Sequence, residues 1–226
     1  LEIQLERKVL EANDNLARRN REEFRRLGLF VINLMSSPGA GKTTLLERTA
    51  GMLKGVLSLA VIEGDIQTTL DADRITRQGV EAVQINTRGA CHLEAESVWE
   101  AAGSLDLEGT DVLFIENVGN LVCPAEFDLG EEAKVTVLST PEGEDKPFKY
   151  PLMFRLSEAL IINKIDLLAH LPFDLAKARE EVRRIQPRIR IFELAALTGE
   201  GMEGWLKWLK AGAARAKAAS ASGRKG

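Results

Sequence analysis

The sequence predicts an α/β fold built on a mostly parallel sheet with helices on both faces, the class of the phosphate-loop NTPases. Three observations carry this expectation. Short apolar runs alternate with segments of helical periodicity from Leu29 onward. The connections between them are short, as in parallel sheets whose crossovers are helices. The first apolar run leads into a helical pattern through Ser36-Ser37-Pro38-Gly39-Ala40-Gly41-Lys42-Thr43, a glycine-rich turn in the strand–turn–helix context of a phosphate-binding loop. The 226 residues suffice for one large domain with its own core.

Taken in order, residues 1–28 read as a helical lead-in. Leu5, Val9, Ala12 and Leu16 recur at helical spacing, and Gly28 is a stop. The main domain is expected over 29–211. Its strands are Phe30–Met35, Leu57–Ile62, Val80–Ile85, Asp111–Ile115, Val135–Leu138, Ala159–Ile162 and Ile189–Leu194. Its helices are Thr43–Leu53, Leu70–Gln78, His92–Ala102, Leu175–Ile185 and a closing segment at Trp205–Lys210. Residues 212–226, rich in Ala, Ser, Lys and Gly, read as a frayed or disordered tail.

Composition narrows the partners. A formal charge of -4 gives no global basis for nucleic-acid binding. No apolar run reaches the roughly 18 residues that span a bilayer, so no membrane association is expected. The N-terminus is charged and lacks an apolar signal core, which makes the cytoplasm the expected compartment. There Cys91 and Cys123 would stay reduced, leaving metal binding or simple burial for them.

Phosphate chemistry assigns the first group of residues. Gly39 and Gly41 let successive N–H groups turn inward around phosphate oxygens, and the helix N-terminus adds partial positive charge. Gly39, Ala40, Gly41, Lys42, Thr43 and Thr44 form the expected cradle, with Lys42 on the β- and γ-phosphates and the Thr43 hydroxyl on magnesium. Ser36 stands where the motif usually has its first glycine. A magnesium–phosphate site also needs a strand-end carboxylate. Glu116 closes an apolar run and is followed by Gly119, whose N–H could touch the γ-phosphate. Asp65 is a second carboxylate candidate, either binding magnesium through water or polarising the attacking water. Asn120 occupies the place where many small GTPases carry a water-orienting glutamine, so slow hydrolysis is expected.

Asn163-Lys164-Ile165-Asp166 ends the apolar run Leu160-Ile161-Ile162. An Asp166 carboxylate can accept from guanine N1–H and N2–H₂, donors that adenine lacks on that edge. Asn163 would orient the loop and approach the base edge, and the stem of Lys164 would cover the ring. GTP rather than ATP is the implied ligand. Ala195-Ala196-Leu197-Thr198-Gly199 offers a second base loop, with a backbone N–H near Ala196 and Leu197 for guanine O6.

Cys91, His92 and Cys123 are three of the four cysteines and histidines in the chain. Thiolate and imidazole suit zinc, nickel or copper. Three donors from one chain leave an incomplete site that a two-fold dimer would complete. Spacing alone equally allows two buried cysteines and a surface histidine. Cys123 lies four residues beyond Gly119, at most about 14 Å of extended chain. Loss of a phosphate contact at Gly119 would thus move a metal donor directly.

The chain resembles the HypB family, the hydrogenase nickel-incorporation GTPases of the dimerising phosphate-loop class. The likeness runs through Leu34–Leu45, Glu63–Ile75, Asn86–Ala95, Glu116–Gly130, Glu142–Phe154 and Asn163–Leu167. The most specific stretches are Glu-Asn-Val-Gly-Asn-Leu-Val-Cys-Pro at 116–124 and Glu-Gly-Glu-Asp-Lys-Pro-Phe-Lys-Tyr-Pro at 142–151. The resemblance implies GTP-dependent delivery of nickel to the hydrogenase large subunit, with a HypA-type nickel accessory protein as partner. It implies a nucleotide-dependent homodimer, with Cys91, His92 and Cys123 binding nickel or zinc at the interface. Magnesium would sit on Thr43, Glu116 and Asp65. The chain lacks the cysteine-rich or histidine-rich N-terminal stretch of some members, so nickel storage is not implied. Three other readings remain open: a urease nickel-delivery GTPase, a cobalamin-enzyme chaperone, and a passive metal-binding module.

Overall fold

A computed structural model describes residues 2–65 and 74–223, with the side chains of 10–64 and 74–223. Seven strands among these residues form one sheet in the order β3-β2-β4-β1-β5-β6-β7, and every neighbouring pair is parallel. The strands are β1 (Phe30–Ser36), β2 (Leu59–Asp65), β3 (Glu81–Asn86), β4 (Val112–Gly119), β5 (Ala133–Ser139), β6 (Ala159–Asn163) and β7 (Arg190–Glu193). β1 is buried along its whole length, and β4 nearly so, because both faces of the central sheet are covered. The edge strands β3 and β7 are only partly buried.

The α-helices that lie wholly among the described residues are α1 (Glu2–Leu27), α2 (Lys42–Leu53), α3 (Ala95–Ala102), α4 (Cys123–Glu126), α5 (Lys146–Lys149), α6 (Pro151–Leu156), α7 (Leu175–Ile185) and α8 (Met202–Gly223). After β1 the chain builds the sheet on one side through β2, β3 and β4. It then crosses to the other side for β5, β6 and β7. Such a reversal opens a crevice at the carboxyl ends of the central strands, where ligands bind in this architecture.

Four sequence expectations shift. Among the described side chains of α1 the buried ones are Asn13, Ala17, Asn20 and Phe24; of the expected stripe, Ala12 is exposed, Leu16 is half-buried, and the side chains of Leu5 and Val9 lie outside the described residues. The asparagines are tolerated there because each has backbone partners. Asn13 bonds the Asp128 carbonyl and the Ala95 N–H at 2.8 and 2.9 Å, and Asn20 donates to the Ala95 and Leu129 carbonyls at 2.8 and 3.0 Å. Second, α3 starts at Ala95 rather than His92. Glu94 is extended and does not cap it, and Asn13 supplies the missing acceptor for the first N–H. Third, β4 runs on through Glu116 and Asn117 to Gly119. Of the expected helix at Leu70–Gln78, residues 70–73 lie outside the described residues, 74–76 are helical and 77–78 form a turn.

The fourth shift is the C-terminal segment, which is a helix to Gly223 and not a frayed tail. Its small residues are what let it lie on the sheet: Gly212, Ala213 and Ala216 are buried beneath it. Trp205 donates to the Thr49 hydroxyl at 3.0 Å, and Trp208 meets the Phe30 ring edge-on at 5.2 Å. A Cβ at Gly212 would overlap the Phe30 ring. Alanine normally favours a helix interior over glycine by about 1 kcal/mol. Here Gly212→Ala is expected to destabilise instead, by about 1–3 kcal/mol from overpacking, and thermal unfolding reads the sign.

Candidate functional site

A cavity of about 460 Å³ opens at the carboxyl ends of β1, β2 and β4. The phosphate-type loop borders it on one side through Pro38, Gly39, Gly41, Lys42, Thr43 and Thr44. Glu63, Gly64, Glu116, Asn117, Gly119, Arg74 and Lys164 close the rest. Two features of the loop depend on glycine. Gly39 and Gly41 have φ of 76° and 98°, where side chains are strained. A Cβ at Gly41 would also lie 2.6 Å from the Asn163 amide nitrogen.

Lys42 is buried and donates to the Ser36 hydroxyl at 3.0 Å. Ser36, the departure from the usual glycine, thus holds the ammonium in the loop. The Thr43 hydroxyl donates to Glu116 Oε1 at 3.0 Å, so two oxygen donors for a divalent cation already face each other. Gly119 packs against Pro38 so closely that a Cβ would come within 2.9 Å of its ring and nitrogen. The last residue of β4 therefore touches the phosphate-type loop itself. Asp65 ends β2 beside this crevice, and its side chain lies outside the described residues.

The Asn163–Asp166 segment follows β6 directly. Asn163 is buried and joins three segments. Its amide donates to the Ala40 carbonyl at 2.9 Å, and its oxygen accepts from the Lys164 and Ala196 N–H groups at 2.8 and 3.0 Å. Its carboxamide is committed to backbone, a fixing role more than a base-edge one. Lys164 adopts φ 63°, braced by the Thr140 hydroxyl on its carbonyl, and its ammonium reaches the Gly39 carbonyl at 2.8 Å. Asp166 is exposed at the start of the following turn, available to a base. In the Ala195–Gly199 loop the Ala196 N–H is already engaged by Asn163, which makes the exposed Leu197 the better placed of the two. Arg48 holds this loop through the Ala196 and Leu197 carbonyls.

Three residues of this region were not singled out by sequence. Arg74 lines the cavity and pairs with Glu47 at 2.6 Å while approaching the Thr44 hydroxyl. Arg48 and Asn117 complete the set. An arginine within a helical pattern carries no positional signal, and Asn117 lies beyond Ile115, where the apolar run of β4 ends.

Cys91, His92 and Cys123 come together. Their donor atoms all lie within 4.8 Å of one another, with Cys91 Sγ 3.4 Å from His92 Nδ1. Metal–sulfur and metal–nitrogen bonds of about 2.0–2.3 Å produce ligand separations of this size, so the set fits a soft divalent ion. Cys91 is exposed and the other two half-buried, which leaves the cluster open on one side. The His92 ring stacks on Phe127 at 3.7 Å, fixing its plane. Burial lowers the His92 pKa against the pull of Glu94 and Glu126, keeping the imidazole neutral at neutral pH. The Cys123 thiol is pushed above its ordinary value by the Cys91 thiol and by burial. Asn120 approaches the Cys123 sulfur at 3.6 Å and caps the N–H groups of Val122 and Cys123. Asn120 is thus turned toward the thiol.

Known proteins are similar to this chain. The family model described as the nucleotide-binding domain of CobW, HypB and UreG matches residues 30–193. A hydrogenase maturation factor HypB from Rhizobium leguminosarum bv. viciae is 53% identical over 213 residues, covering 94% of this chain and 71% of that protein. The crystal structure of HypB from Helicobacter pylori in complex with nickel superposes with a TM-score of 0.86 at 40% identity, covering 90% of this chain and 96% of that one. The hydrogenase maturation factor HypB of Archaeoglobus fulgidus gives 0.84 at 37% identity, covering 89% and 98%. The seven-stranded parallel sheet, the occupied motif positions and these matches agree, and the chain belongs to the CobW/HypB/UreG family, among its HypB members.

Proposed function

We propose that the chain is a GTPase of hydrogenase maturation that couples its nucleotide state to the handling of nickel as cargo. The relatives' names and the nickel-bound Helicobacter pylori structure support this assignment. One observation carries the coupling. β4 bonds Thr43 through Glu116, touches the phosphate-type loop through Gly119, and four residues later delivers Cys123 into the soft-donor cluster.

In this reading Lys42 and the loop N–H groups hold the β- and γ-phosphates. Thr43 and Glu116, with Asp65 at the end of β2, would hold magnesium, which supplies neutralisation of phosphate charge. Asp166 selects guanine by accepting from N1–H and N2–H₂, and Lys164 lies along the base side of the cavity. The Gly119 N–H senses the terminal phosphate, and its release after hydrolysis shifts the segment that leads to Cys123. Asn120 stands after Gly119, where many small GTPases carry a water-orienting glutamine, and is engaged at the thiol, so intrinsic turnover is expected to be slow. Cys91, His92 and Cys123 bind nickel or zinc, and a second copy completes the coordination in a nucleotide-dependent homodimer. A HypA-type nickel protein and the hydrogenase large subunit are the partners on either side of the transfer. Among the described residues no helix is long and apolar enough to cross a membrane, and we place the protein in the cytoplasm.

The test is nickel titration of the purified chain with GDP and with a non-hydrolysable GTP analogue, with particle size measured in parallel. Different affinities and a larger species with the analogue are expected. Equal affinity and equal size in both states would remove the coupling, since a ligand without differential binding shifts no equilibrium.

A further inference from the structure

We propose that Asn117 is a positioning residue that ties the Cys91-His92 half of the donor cluster to the nucleotide cavity. This role rests on the coupling proposed above and adds a second connection to the one through Cys123.

Asn117 is 1% exposed, lies on β4 between Glu116 and Gly119, and lines the nucleotide cavity. Its carboxamide leads away from the phosphate loop. The oxygen accepts from the Leu93 N–H at 3.2 Å and from the Val118 N–H at 3.0 Å. The nitrogen donates to Asn33 Oδ1 at 3.1 Å. Asn33 in turn donates to buried Glu131 at 3.4 Å, and Glu131 accepts from the Leu129 N–H at 2.7 Å. Both ends of the Asn117 side chain are therefore fixed, with the acceptor aimed at Leu93.

Leu93 immediately follows His92. It is 1% exposed, and its side chain fills the space over Gly64, where a Cβ would fall 2.8 Å from it. Gly64 borders the same cavity on β2. The residue after the Cys91-His92 pair is thus gripped twice, by a hydrogen bond from β4 and by contact with β2. Cys91 and His92 sit in a bend, with no regular helix before Ala95. The grip on Leu93 thus anchors the backbone on which they stand, while Phe127 fixes the plane of the His92 ring.

The geometry has a simple outcome. Asn117 and Cys123 stand on opposite sides of Gly119 along the chain. Cys91 and His92 follow Asn117, and Cys123 follows the peptide beyond Gly119. A shift at Gly119 changes the spacing between the two halves of the donor set, which alters metal affinity without any contact between metal and nucleotide. Asparagine meets both demands at once. Aspartate would keep the acceptor for Leu93 but lose the donor to Asn33. Alanine would leave the Leu93 N–H without its acceptor, a buried group that is costly to leave unmade.

The experiment measures Ni(II) affinity of the full chain with GDP and with a non-hydrolysable GTP analogue, for the wild type, Asn117→Ala and Asn117→Asp. Coupling between sites is commonly about 5–150-fold, and a wild-type ratio in that range is expected. Asn117→Ala should bring the ratio to within about twofold of unity, while Asn117→Asp, which keeps the acceptor, retains most of it. Gly64→Ala displaces Leu93 from the other side and should also shrink the ratio, which gives a readout should Asn117→Ala not fold. A wild-type ratio of one sinks the coupling itself. A normal wild-type ratio that survives in Asn117→Ala, or that Asn117→Asp loses as fully as alanine does, overturns the role of Asn117 alone.

Discussion

Lys42→Ala is expected to reduce GTP turnover by about 10²–10³-fold, the usual cost of removing one preorganised charge-stabilising donor from a transferring group. The size of the effect follows from where the ammonium sits. It is buried, and the Ser36 hydroxyl 3.0 Å away holds it in the loop before any phosphate arrives. Little reorganisation is then needed when charge builds on the β–γ bridging region, which is where such a donor is most effective. Lys42→Arg should not restore activity. The planar guanidinium is larger and carries a fixed fork of donors, whereas the loop is fitted around a compact point charge. Single-turnover hydrolysis separates the chemical step from binding, and turnover within about tenfold of wild type for Lys42→Ala would remove Lys42 from the proposed machinery.

Cys123→Ala is the second large effect. It is expected to weaken Ni(II) binding by at least about 100-fold, since even loss of a partner behind a ligand costs 10–100-fold. Cys91 and His92 would remain, but adjacent residues alone cannot enclose an ion. The same site predicts a pH dependence with a definite sign. The Cys123 thiol is held above its ordinary value by the Cys91 thiol and by burial. Near neutral pH it carries a proton that metal must expel, so affinity should rise with pH, by about tenfold per unit for each proton released. His92 acts in the same direction but only at lower pH: burial keeps its imidazole neutral and ready to bind near neutrality, and a proton competes with metal only below its lowered pKa. Titrations at several pH values, with melting temperature as a control on folding, check both statements. An affinity flat in pH would mean that no thiolate is formed on binding.

Much of the fold was legible because each strand is short, apolar and bounded by polar or glycine-rich residues. The helix Leu175–Ile185 matches its sequence boundaries for the same reason: Asp174 accepts from the Lys177 N–H and marks the start. Elsewhere tertiary partners override local signals. Asn13 and Asn20 interrupt the apolar pattern of α1 yet occupy its buried face, because their partners come from segments about a hundred residues away. The α3 boundary moved for a related reason, since the acceptor for its first N–H belongs to α1. The C-terminal helix was hidden by composition. Alanine and glycine look like a tail until the Phe30 ring they pack against is in view.

The candidate site divides in the same way. The loop glycines, Lys42, Thr43, Glu116 and the Asn163–Asp166 segment could be located from motif spacing, because phosphate and base recognition use short, contiguous stretches. Bringing Cys91 and His92 to Cys123 depends on the pairing of β2, β3 and β4, which no local pattern encodes. Asn117 and Arg74 lie within stretches that carry the family likeness, but nothing in the sequence gives either a chemical role, which emerges only from the cavity they border.

The two asparagines of α1 bear on how this protein can be trimmed. A version beginning at Phe30 would look like a tidy enzyme core, since every strand would be present. It would nonetheless strip partners from the Ala95 N–H and carbonyl and from the carbonyls of Asp128 and Leu129. Those four groups flank the two stretches that bring sulfur and imidazole together. The first helix thus braces the segments next to a site whose first residue is Cys91, and whatever grasps or releases it would act on that site from behind.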